Sequence, residues 1–416
     1  MAGFGCERYA QGTIAPLRAQ ALTIRDARDH VGVLIAADII AFDHTTVQQV
    51  RRSLLRTHGL SPSQVMLAAS HTHWGPPTLY RMNYAAGVVN PWYLKFLEDT
   101  LIRLAGEALA KQIPAKFSYT VFDTRIGACR RTPDGHGSVK WGPYPEGSYD
   151  PRTPVLCIDR GGRAGPIVLV SHACHPTSSG SVAKWSPEYP GAMRLRIEQG
   201  LGSRSRAMFA MGCGADAKVT RRDRDGKLVF AASPLHARQA GTKLANAVLD
   251  HLASASPDAL SPQLTTTLAA GSLTFGRRYS RRQMEELAYE TPPDQGDRWW
   301  ARQAISCPFT EKRCRYEVQA WRLGDLTLIG LEGEVCSGLG PIARALARTP
   351  LSASIAYVND AVGYIPTAQI VREGGYEGES AHRAYFLPAP FTRNIEREFA
   401  AVVRRAVAKQ SCGPIT

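Results

Sequence analysis

The sequence predicts an α/β protein, because short apolar segments alternate with amphipathic helical segments along its 416 residues. This alternation is typical of sheets whose strands are joined by helices. The sequence contains no internal repeat, low-complexity tract or long Gly/Ser linker. The length allows one large domain or two ordinary ones, and we predict a single domain over residues 1–416.

The strand predictions rest on short apolar runs bounded by turn or polar residues. In chain order they are Val31–Ile40, Val65–Ser70, Ile167–Ser171, Ala207–Met211 and Leu326–Leu331. The helix predictions rest on apolar residues at helical spacing, with a proline in the first turn of the second helix. In chain order they are Thr45–Thr57, Pro91–Lys111, Pro234–Leu252, Arg281–Tyr289, Pro341–Ala347 and Arg393–Ala408.

The segment from Gly127 to Arg163 is rich in glycine, proline and charged residues, and it predicts a long loop region. Long loops inside compact domains are often functional.

The composition excludes several classes of protein. Hydrophobic residues make up 44% of the chain, which is enough for a large core, but no apolar run approaches the ~20 residues that cross a bilayer. The N-terminus, MAGFGCERYAQGT, lacks the pattern of a secretory signal, so we expect a cytoplasmic protein without a stable membrane anchor. Nine dispersed cysteines without a CxxC pair indicate reduced thiols and neither a disulfide framework nor a Cys-rich zinc site.

The formal net charge of +14 allows a polyanionic partner. However, the basic residues are dispersed, and the densest cluster is short: Arg221, Arg222 and Arg224, near Lys218 and Lys227. No nucleic-acid-binding fold signature accompanies this cluster, so we expect no nucleic-acid partner. The charge favours instead an anionic small-molecule substrate.

The first chemical motif places two histidines at the end of an apolar strand, in VMLAASHTHWGPP (residues 65–77). In extended backbone, His71 and His73 would point to the same side, ~6.5 Å apart. One ring could then bind a metal while the other handles the substrate or a second metal. Metallo-β-lactamases are disfavoured because Trp74-Gly75-Pro76 replaces the Asp and His that they need, and amidohydrolases because no eightfold strand–helix pattern follows. Two ordinary strand-end histidines remain the structural alternative.

Two further motifs follow the same plan. In IVLVSHACHPTS (residues 167–178) an apolar strand ends in His172 and His175, of which His175, beside the turn, is the better candidate ligand. In LIGLEGEVC (residues 328–336) a strand is followed by Glu334. Two histidines and a carboxylate around an open position form an ordinary catalytic zinc set.

Taken in order, these motifs resemble the neutral ceramidase family, whose fingerprint includes HTHSGP after a strand, HP(T/V)S, PGE, and GYxxT with a tyrosine twelve residues later. The corresponding segments are His71-Thr72-His73-Trp74-Gly75-Pro76, His175-Pro176-Thr177-Ser178, Glu332-Gly333-Glu334, and Gly363-Tyr364-Ile365-Pro366-Thr367 followed by Tyr376. The resemblance runs from Gly3-Phe4-Gly5 to Tyr376. It implies a neutral-ceramidase-like catalytic domain with mixed β-sheets flanked by helices.

The resemblance also implies a Zn²⁺ site. Four residues match the family's zinc ligands, namely His71, His175, Glu334 and Tyr364. Three match its substrate-facing polar residues, namely His73, Arg130 and Tyr376, with Arg131 as the alternative to Arg130. Tyrosine is an unusual zinc ligand, and only the resemblance nominates Tyr364.

One departure from the family changes the expected chemistry. The family's serine-bearing GDxSP-type element corresponds here to MGCGAD (residues 211–216), which has no serine. Metal-activated water is then the expected nucleophile, with Tyr376 and Arg130 stabilising the oxyanion and His73 relaying a proton. Asp216 is expected to orient a ligand histidine or act as a base. Asp38 and Glu188 are further carboxylates that could support ligand histidines.

These expectations define a zinc-dependent hydrolase that cleaves an amide (N-acyl) bond of a small soluble substrate other than ceramide. A metal-dependent esterase, lactonase or phosphoesterase on the same site, and a non-catalytic ligand-binding relative, are the alternatives. A homo-oligomer is compatible with the sequence.

Overall fold

The computed structural model describes residues 1–3, 9–161, 164–290 and 296–409. The strands in these residues are β1 (Ala19–Arg25), β2 (Val31–Ala37), β3 (Val65–Ala69), β4 (Lys116–Asp123), β5 (Gly127–Pro133), β6 (Val139–Tyr144), β7 (Arg152–Asp159), β8 (Ile167–His172), β9 (Arg206–Met211), β10 (Ala217–Arg222), β11 (Leu228–Phe230), β12 (Asp258–Ala259), β13 (Leu264–Thr274), β14 (Arg313–Leu323), β15 (Leu326–Leu331), β16 (Glu334–Val335), β17 (Leu351–Ile355) and β18 (Tyr364–Ile365).

The α-helices in the same residues are α1 (His44–His58), α2 (Asn83–Ala86), α3 (Pro91–Ala110), α4 (Glu188–Leu201), α5 (Pro234–Ser254), α6 (Arg281–Glu285), α7 (Gly296–Ser306), α8 (Leu339–Ala345), α9 (Ala368–Glu373), α10 (Ala381–Ala384) and α11 (Ile395–Ala408). Short 3₁₀ turns occupy Pro62–Gln64 and Tyr80–Met82, and π-helical turns occupy Glu286–Glu290 and Tyr376–Ser380. Within the described ranges, no helix combines the length and apolar character that a bilayer crossing requires.

The strands form mixed sheets, which confirms the predicted α/β class. The sheet orders are β1-β2-β3, β12-β4-β7-β8-β9, β11-β10-β5-β6, β13-β14-β15-β17 and β16-β18. Parallel pairs join β2 to β3, β8 to β9, β15 to β17 and β16 to β18, and the other pairs are antiparallel. Helices α4 and α5 pack on each other, and α11 packs on β13 and β14.

The five predicted strands are all present because they are buried on both faces. In β2, Val33 and Ile35 belong to one hydrophobic core, whereas Leu34 and Ala36 belong to a second core across the sheet. A strand of this kind is a continuous apolar run, which is easily recognised in the sequence. The six predicted helices are also present, although the fourth is α-helical only over Arg281–Glu285 and continues as a π-helical turn.

The predicted loop between Gly127 and Arg163 is wrong. This stretch forms β5, β6 and β7, and β5 lies between β10 and β6 in its sheet. Charged residues usually indicate an exposed segment, whereas Arg130 and Arg131 are buried in β5. Their guanidinium groups are compensated by Glu377, about 250 residues further along the chain.

The segment after β17 links three strands through backbone hydrogen bonds. The backbone N–H of Ala356 donates to Met211 at the end of β9, and that of Asn359 donates to Leu67 in β3. Between them, Tyr357 donates from its N–H to Gly333, immediately after β15. Tyr357 and Asn359 have φ angles of 55° and 58°, a left-handed conformation that is costly for residues other than glycine. The fold therefore holds a strained connection where the predicted site residues lie.

The contact between α4 and α5 supports a stability prediction. A Cβ atom on Gly241 in α5 would lie 2.4 Å from the backbone oxygen of Tyr189 and 2.7 Å from Cβ of Ala192, both in α4. We therefore expect Gly241→Ala to lower the free energy of unfolding by ~1–3 kcal/mol, because the helices must separate. Gly106→Ala in α3 is the control, since its Cβ would meet the ring of His58 at ordinary contact distances, with Nε2 at 3.4 Å. The control should be neutral or slightly stabilising in urea unfolding, and equal behaviour of both variants would contradict the prediction.

Candidate metal centre

Three histidine rings converge at the ends of β3 and β8. Nε2 of His71 lies 2.9 Å from Nε2 of His175 and 3.2 Å from Nε2 of His73, and the third Nε2–Nε2 distance is 3.3 Å. His71 and His175 are fully buried, whereas His73 is partly exposed. Residues from distant parts of the sequence thus direct equivalent nitrogen atoms at one point.

His71 reaches this point through an unusual backbone conformation. Strand β3 ends at Ala69, and His71 has a φ angle of 65°, so the expectation that His71 and His73 continue in extended backbone is wrong. Nδ1 of His71 donates a hydrogen bond to the backbone oxygen of Ile40 at 2.6 Å. This bond orients the ring so that Nε2 faces the other two rings.

His175 is positioned by backbone pairing with the start of β10. Its N–H donates to the backbone oxygen of Ala217 at 3.1 Å. Burial lowers the pKa of His175 well below its usual value, and neighbouring His71 lowers it further, so this imidazole is neutral at physiological pH. Among the described residues, Nδ1 of His175 has no hydrogen-bond partner.

Glu334 supplies a carboxylate beside the histidines. The parallel pairing of β16 and β18 sets Glu334 opposite Tyr364, and Glu334 Oε2 lies 3.3 Å from His71 Nε2 and 3.8 Å from His175 Nε2. The hydroxyl of Tyr357 donates to Oε2 at 3.3 Å, and that of Tyr385 donates to Oε1. Burial raises the pKa of Glu334, but the charge and hydrogen bond of His71 and the hydrogen bond from Tyr385 outweigh burial and lower it to about 2. The carboxylate is therefore ionised.

Tyr364 joins the cluster to a buried arginine. Arg130 donates from Nη2 to the Tyr364 hydroxyl at 3.0 Å and from Nε to Glu377 Oε1 at 2.7 Å. The Arg130 guanidinium also lies 4.6 Å from the ring centroid of Trp141. Tyr376 packs edge-on against Tyr364, with ring centroids 5.3 Å apart. The structure therefore places both predicted tyrosines and the predicted arginine together at the cluster.

Other predicted residues lie outside the histidine cluster. Asp216 accepts from the backbone N–H and hydroxyl of Ser337 at 2.7 and 2.6 Å, and the structure shows no bond from it to the three histidines in the described ranges. His172, the weaker ligand candidate, bonds through its two ring nitrogens to hydroxyl groups of neighbouring residues, Tyr149 and Thr153.

The two carboxylates proposed as supports for ligand histidines are engaged elsewhere. Asp38 pairs with Arg194, and Glu188 accepts bonds from the hydroxyls of Ser178 and Ser179. Their contacts hold the surrounding fold together. His71 is instead oriented by its hydrogen bond to the backbone carbonyl of Ile40, and a sequence pattern cannot predict such a bond.

A cavity of about 390 Å³ opens beside the cluster. It is lined by predicted residues, namely His73, Arg130, His175, Glu334, Tyr364 and Tyr376, and also by Trp141 and Lys218. Sequence reasoning missed Trp141 and the two tyrosines that bind Glu334, because no local pattern distinguishes them from core aromatic residues. It considered Lys218 only as a neighbour of the basic cluster formed by Arg221, Arg222 and Arg224.

The cluster fits a zinc ion in donor type and spacing. Tetrahedral ligands each ~2.05 Å from zinc lie roughly 3.3 Å from one another. The three Nε2 atoms lie 2.9–3.3 Å from one another, and Glu334 Oε2 lies 3.3 Å from that of His71 and 3.8 Å from that of His175. His71, His73 and His175 could therefore hold a metal ion.

Comparison with known proteins gave matches at the level of structure. No family model matches the sequence, and no curated protein does so. A solved structure described as a ceramidase complexed with C2 matches with a TM-score of 0.75 and 16% identity, covering 100% of this chain and 74% of that one. Neutral ceramidase from Pseudomonas aeruginosa matches with a TM-score of 0.75 and 18% identity, covering 100% and 73%. The chain thus has a neutral ceramidase-like fold, as predicted. Phe4 and Gly5 of the predicted N-terminal match lie outside the described residues.

Proposed function

We propose that this protein is a zinc-dependent hydrolase that cleaves an amide (N-acyl) bond of a small substrate by means of activated water. The observation that carries the proposal is the convergence of His71, His175 and Glu334, from three distant segments, at the wall of a cavity. The ceramidase-like fold supports an amide bond as the target, because the structures that share it are described as ceramidases.

We assign His71, His175, Glu334 and Tyr364 as the residues that would hold the zinc ion. Zinc bound there would polarise a carbonyl group and lower the pKa of water to ~7, so that a nucleophile forms at neutral pH. His73 lines the cavity and is assigned to the substrate. Because the pKa of Glu334 is about 2, this residue is an ionised carboxylate at neutral pH and can bind a cation.

Side chains of the cavity are assigned to the two other requirements of amide hydrolysis, namely oxyanion stabilisation and proton transfer. Arg130 and Tyr376 line the cavity and provide donors for the oxyanion that develops when water adds to the carbonyl carbon. Burial lowers the pKa of His73 well below 6.5, and His71 lowers it further. His73 is therefore neutral, and it accepts a proton from the attacking water and passes it to the leaving nitrogen. The products are a carboxylic acid and an amine.

Water is the proposed nucleophile because the cysteine in the segment that lacks serine is unreactive. Cys213 is buried, and burial, followed by the charge of Asp150, raises the pKa of its thiol to about 12. Such a thiol is protonated at neutral pH and is a poor nucleophile.

The proposal is tested by metal analysis and a substrate panel. Purified protein should contain about one zinc per chain, and manganese or iron in its place would identify another native metal. The zinc-loaded protein should release acid from N-acyl amines faster than from matched esters, lactones or phosphoesters. Preference for an ester would favour the esterase or lactonase alternative, and ligand binding without turnover would favour the non-catalytic one. The small-molecule partner, the absence of a nucleic-acid partner and the cytoplasmic location remain predictions.

His73→Ala distinguishes the substrate-facing role of this residue from a role as ligand. We expect zinc content to remain near one per chain while kcat falls by ~10²–10⁴-fold, since proton transfer is lost. His136→Ala, at an exposed turn of the β5–β6 hairpin, should change neither quantity. Loss of zinc from His73→Ala would instead assign His73 to the ligand set, as the 3.2 and 3.3 Å distances to the other two rings allow.

A further inference from the structure

The sheet formed by β11, β10, β5 and β6 supplies one wall of the cavity. Lys218 in β10 and Trp141 in β6 both line it, together with Arg130 in β5. Lys218 is bridged by backbone pairing to His175, so its side chain begins next to the histidine cluster. The wall therefore presents two cations beside the proposed reaction centre.

The two cations differ in how their charges are compensated. Arg130 is bound by the carboxylate of Glu377, which also binds Arg131. Lys218 has no carboxylate within ion-pair distance in the described ranges, and its ammonium faces the rings of Trp141 and Phe230, 5.8 and 5.4 Å from their centroids. The ammonium is partly buried beside two aromatic rings and has no carboxylate paired with it in the described ranges, so it is available to bind an anion from the cavity.

The chemistry of the wall limits which kind of anion can pair with Lys218. The aromatic rings attract the ammonium weakly and offer flat apolar surfaces, but they do not neutralise its charge. A single ammonium is a point charge with three donors, which suits a singly charged carboxylate. A phosphate group, with up to two negative charges, would need a second uncompensated cation, and Glu377 already neutralises the neighbouring arginine.

We propose that Lys218 is a specificity-determining residue that binds a carboxylate group of the substrate, with Trp141 and Phe230 packing around it. This inference rests on the proposed function and narrows the substrate class to N-acyl amino acids or similar carboxylate-bearing amides. The buried arginines then serve the reacting carbonyl group and the architecture of the site, while Lys218 selects the substrate.

The test uses zinc-loaded protein and two probes that differ in one group, N-acetyl-L-phenylalanine and N-acetyl-L-phenylalanine amide. Dissociation constants are measured by calorimetry, and acetate release gives kcat/KM for each probe. We expect the wild type to bind the carboxylate at least about tenfold more tightly than the carboxamide. Lys218→Met should reduce that preference to about onefold, since it keeps the length of the side chain but removes its charge.

Three further variants control the experiment. Lys218→Arg should retain most of the preference, and Lys227→Met, at an exposed position of the same hairpin, should retain all of it. Lys218→Gln replaces Lys218→Met if thermal unfolding shows that the apolar substitution disrupts the sheet. Equal weakening of both probes by loss of Lys218, or a wild type that does not favour the carboxylate, would overturn the inference. Carboxylate-selective binding without acetate release would uphold it while counting against the proposed hydrolysis.

Discussion

Replacing His71 with alanine is expected to remove both the bound zinc and the hydrolase activity from a protein that still folds. His71 contributes an Nε2 atom that lies within 3.3 Å of a donor atom in each of His73, His175 and Glu334. Replacing His71 removes the Nε2 atom that lies closest to the other candidate ligand atoms. Glu334→Ala should have the same effect, because it removes the only carboxylate that contacts the cluster in the described part of the chain.

The expected magnitudes follow from what the metal supplies. Stabilisation of the transition state by a metal is worth several kcal/mol, so kcat/KM should fall by ~10³-fold or more. Zinc content, measured by plasma mass spectrometry after desalting, should fall from about one per chain to near zero. Far-UV circular dichroism shows whether the variants remain folded.

His172→Gln is the matched control for these variants. His172 is also a buried histidine after an apolar strand, but Tyr149 and Thr153 engage its nitrogens outside the cluster. We expect this variant to keep its zinc. If His71→Ala retained zinc and full activity, or if exhaustive chelation of the wild type spared activity, the proposed metal chemistry would be wrong.

Prediction from sequence succeeded where a local pattern reflects burial. The strands that carry His71 and His175 lie between two cores, and their apolar runs therefore mark both the strand and the point where it ends. Functional side chains are often placed at such ends. The structure brings both histidines together with Glu334, which sequence spacing alone cannot show.

Prediction failed where the position of a residue depends on a distant partner. Tyr357 reaches the Glu334 carboxylate because the chain after β17 pairs with Gly333, and Tyr385 reaches it from the end of α10, 51 residues after Glu334. The sequence places Lys218 only near a short basic cluster, because sequence proximity does not reveal that its side chain lines a cavity. The strand containing Arg130 was taken for a loop for the same reason, since Glu377 is remote in sequence.

Glu377→Gln is expected to destabilise the protein strongly and to reduce activity at the same time. The carboxylate accepts from Arg130 at 2.7 Å and from Arg131 at 2.6 Å, and all three residues are buried. Removing one partner from a buried ion pair leaves uncompensated charge and typically costs ~3–5 kcal/mol. Activity should fall as well, because Glu377 anchors the guanidinium that contacts Tyr364.

Glu373→Gln is the control, because Glu373 also binds Arg131 but has a side chain that is 28% exposed. Because water reaches this carboxylate, losing it should cost less stability than losing the buried carboxylate of Glu377. Urea unfolding of the two variants should therefore separate them clearly. Equal stabilities would show that the buried carboxylate does not compensate the arginines.

The pH dependence of stability provides an independent measure of the same network. Burial raises the pKa of Glu377, but Arg130 and Arg131 outweigh burial and lower it below 4.5. A carboxyl group whose pKa is lower in the folded state contributes stability above its unfolded pKa, and that stability is lost as the pH falls through the folded value. The wild type should therefore lose more of its free energy of unfolding between neutral pH and acid than Glu377→Gln does. Parallel pH profiles for the two proteins would mean that Glu377 is not the carboxylate on which the buried arginines depend.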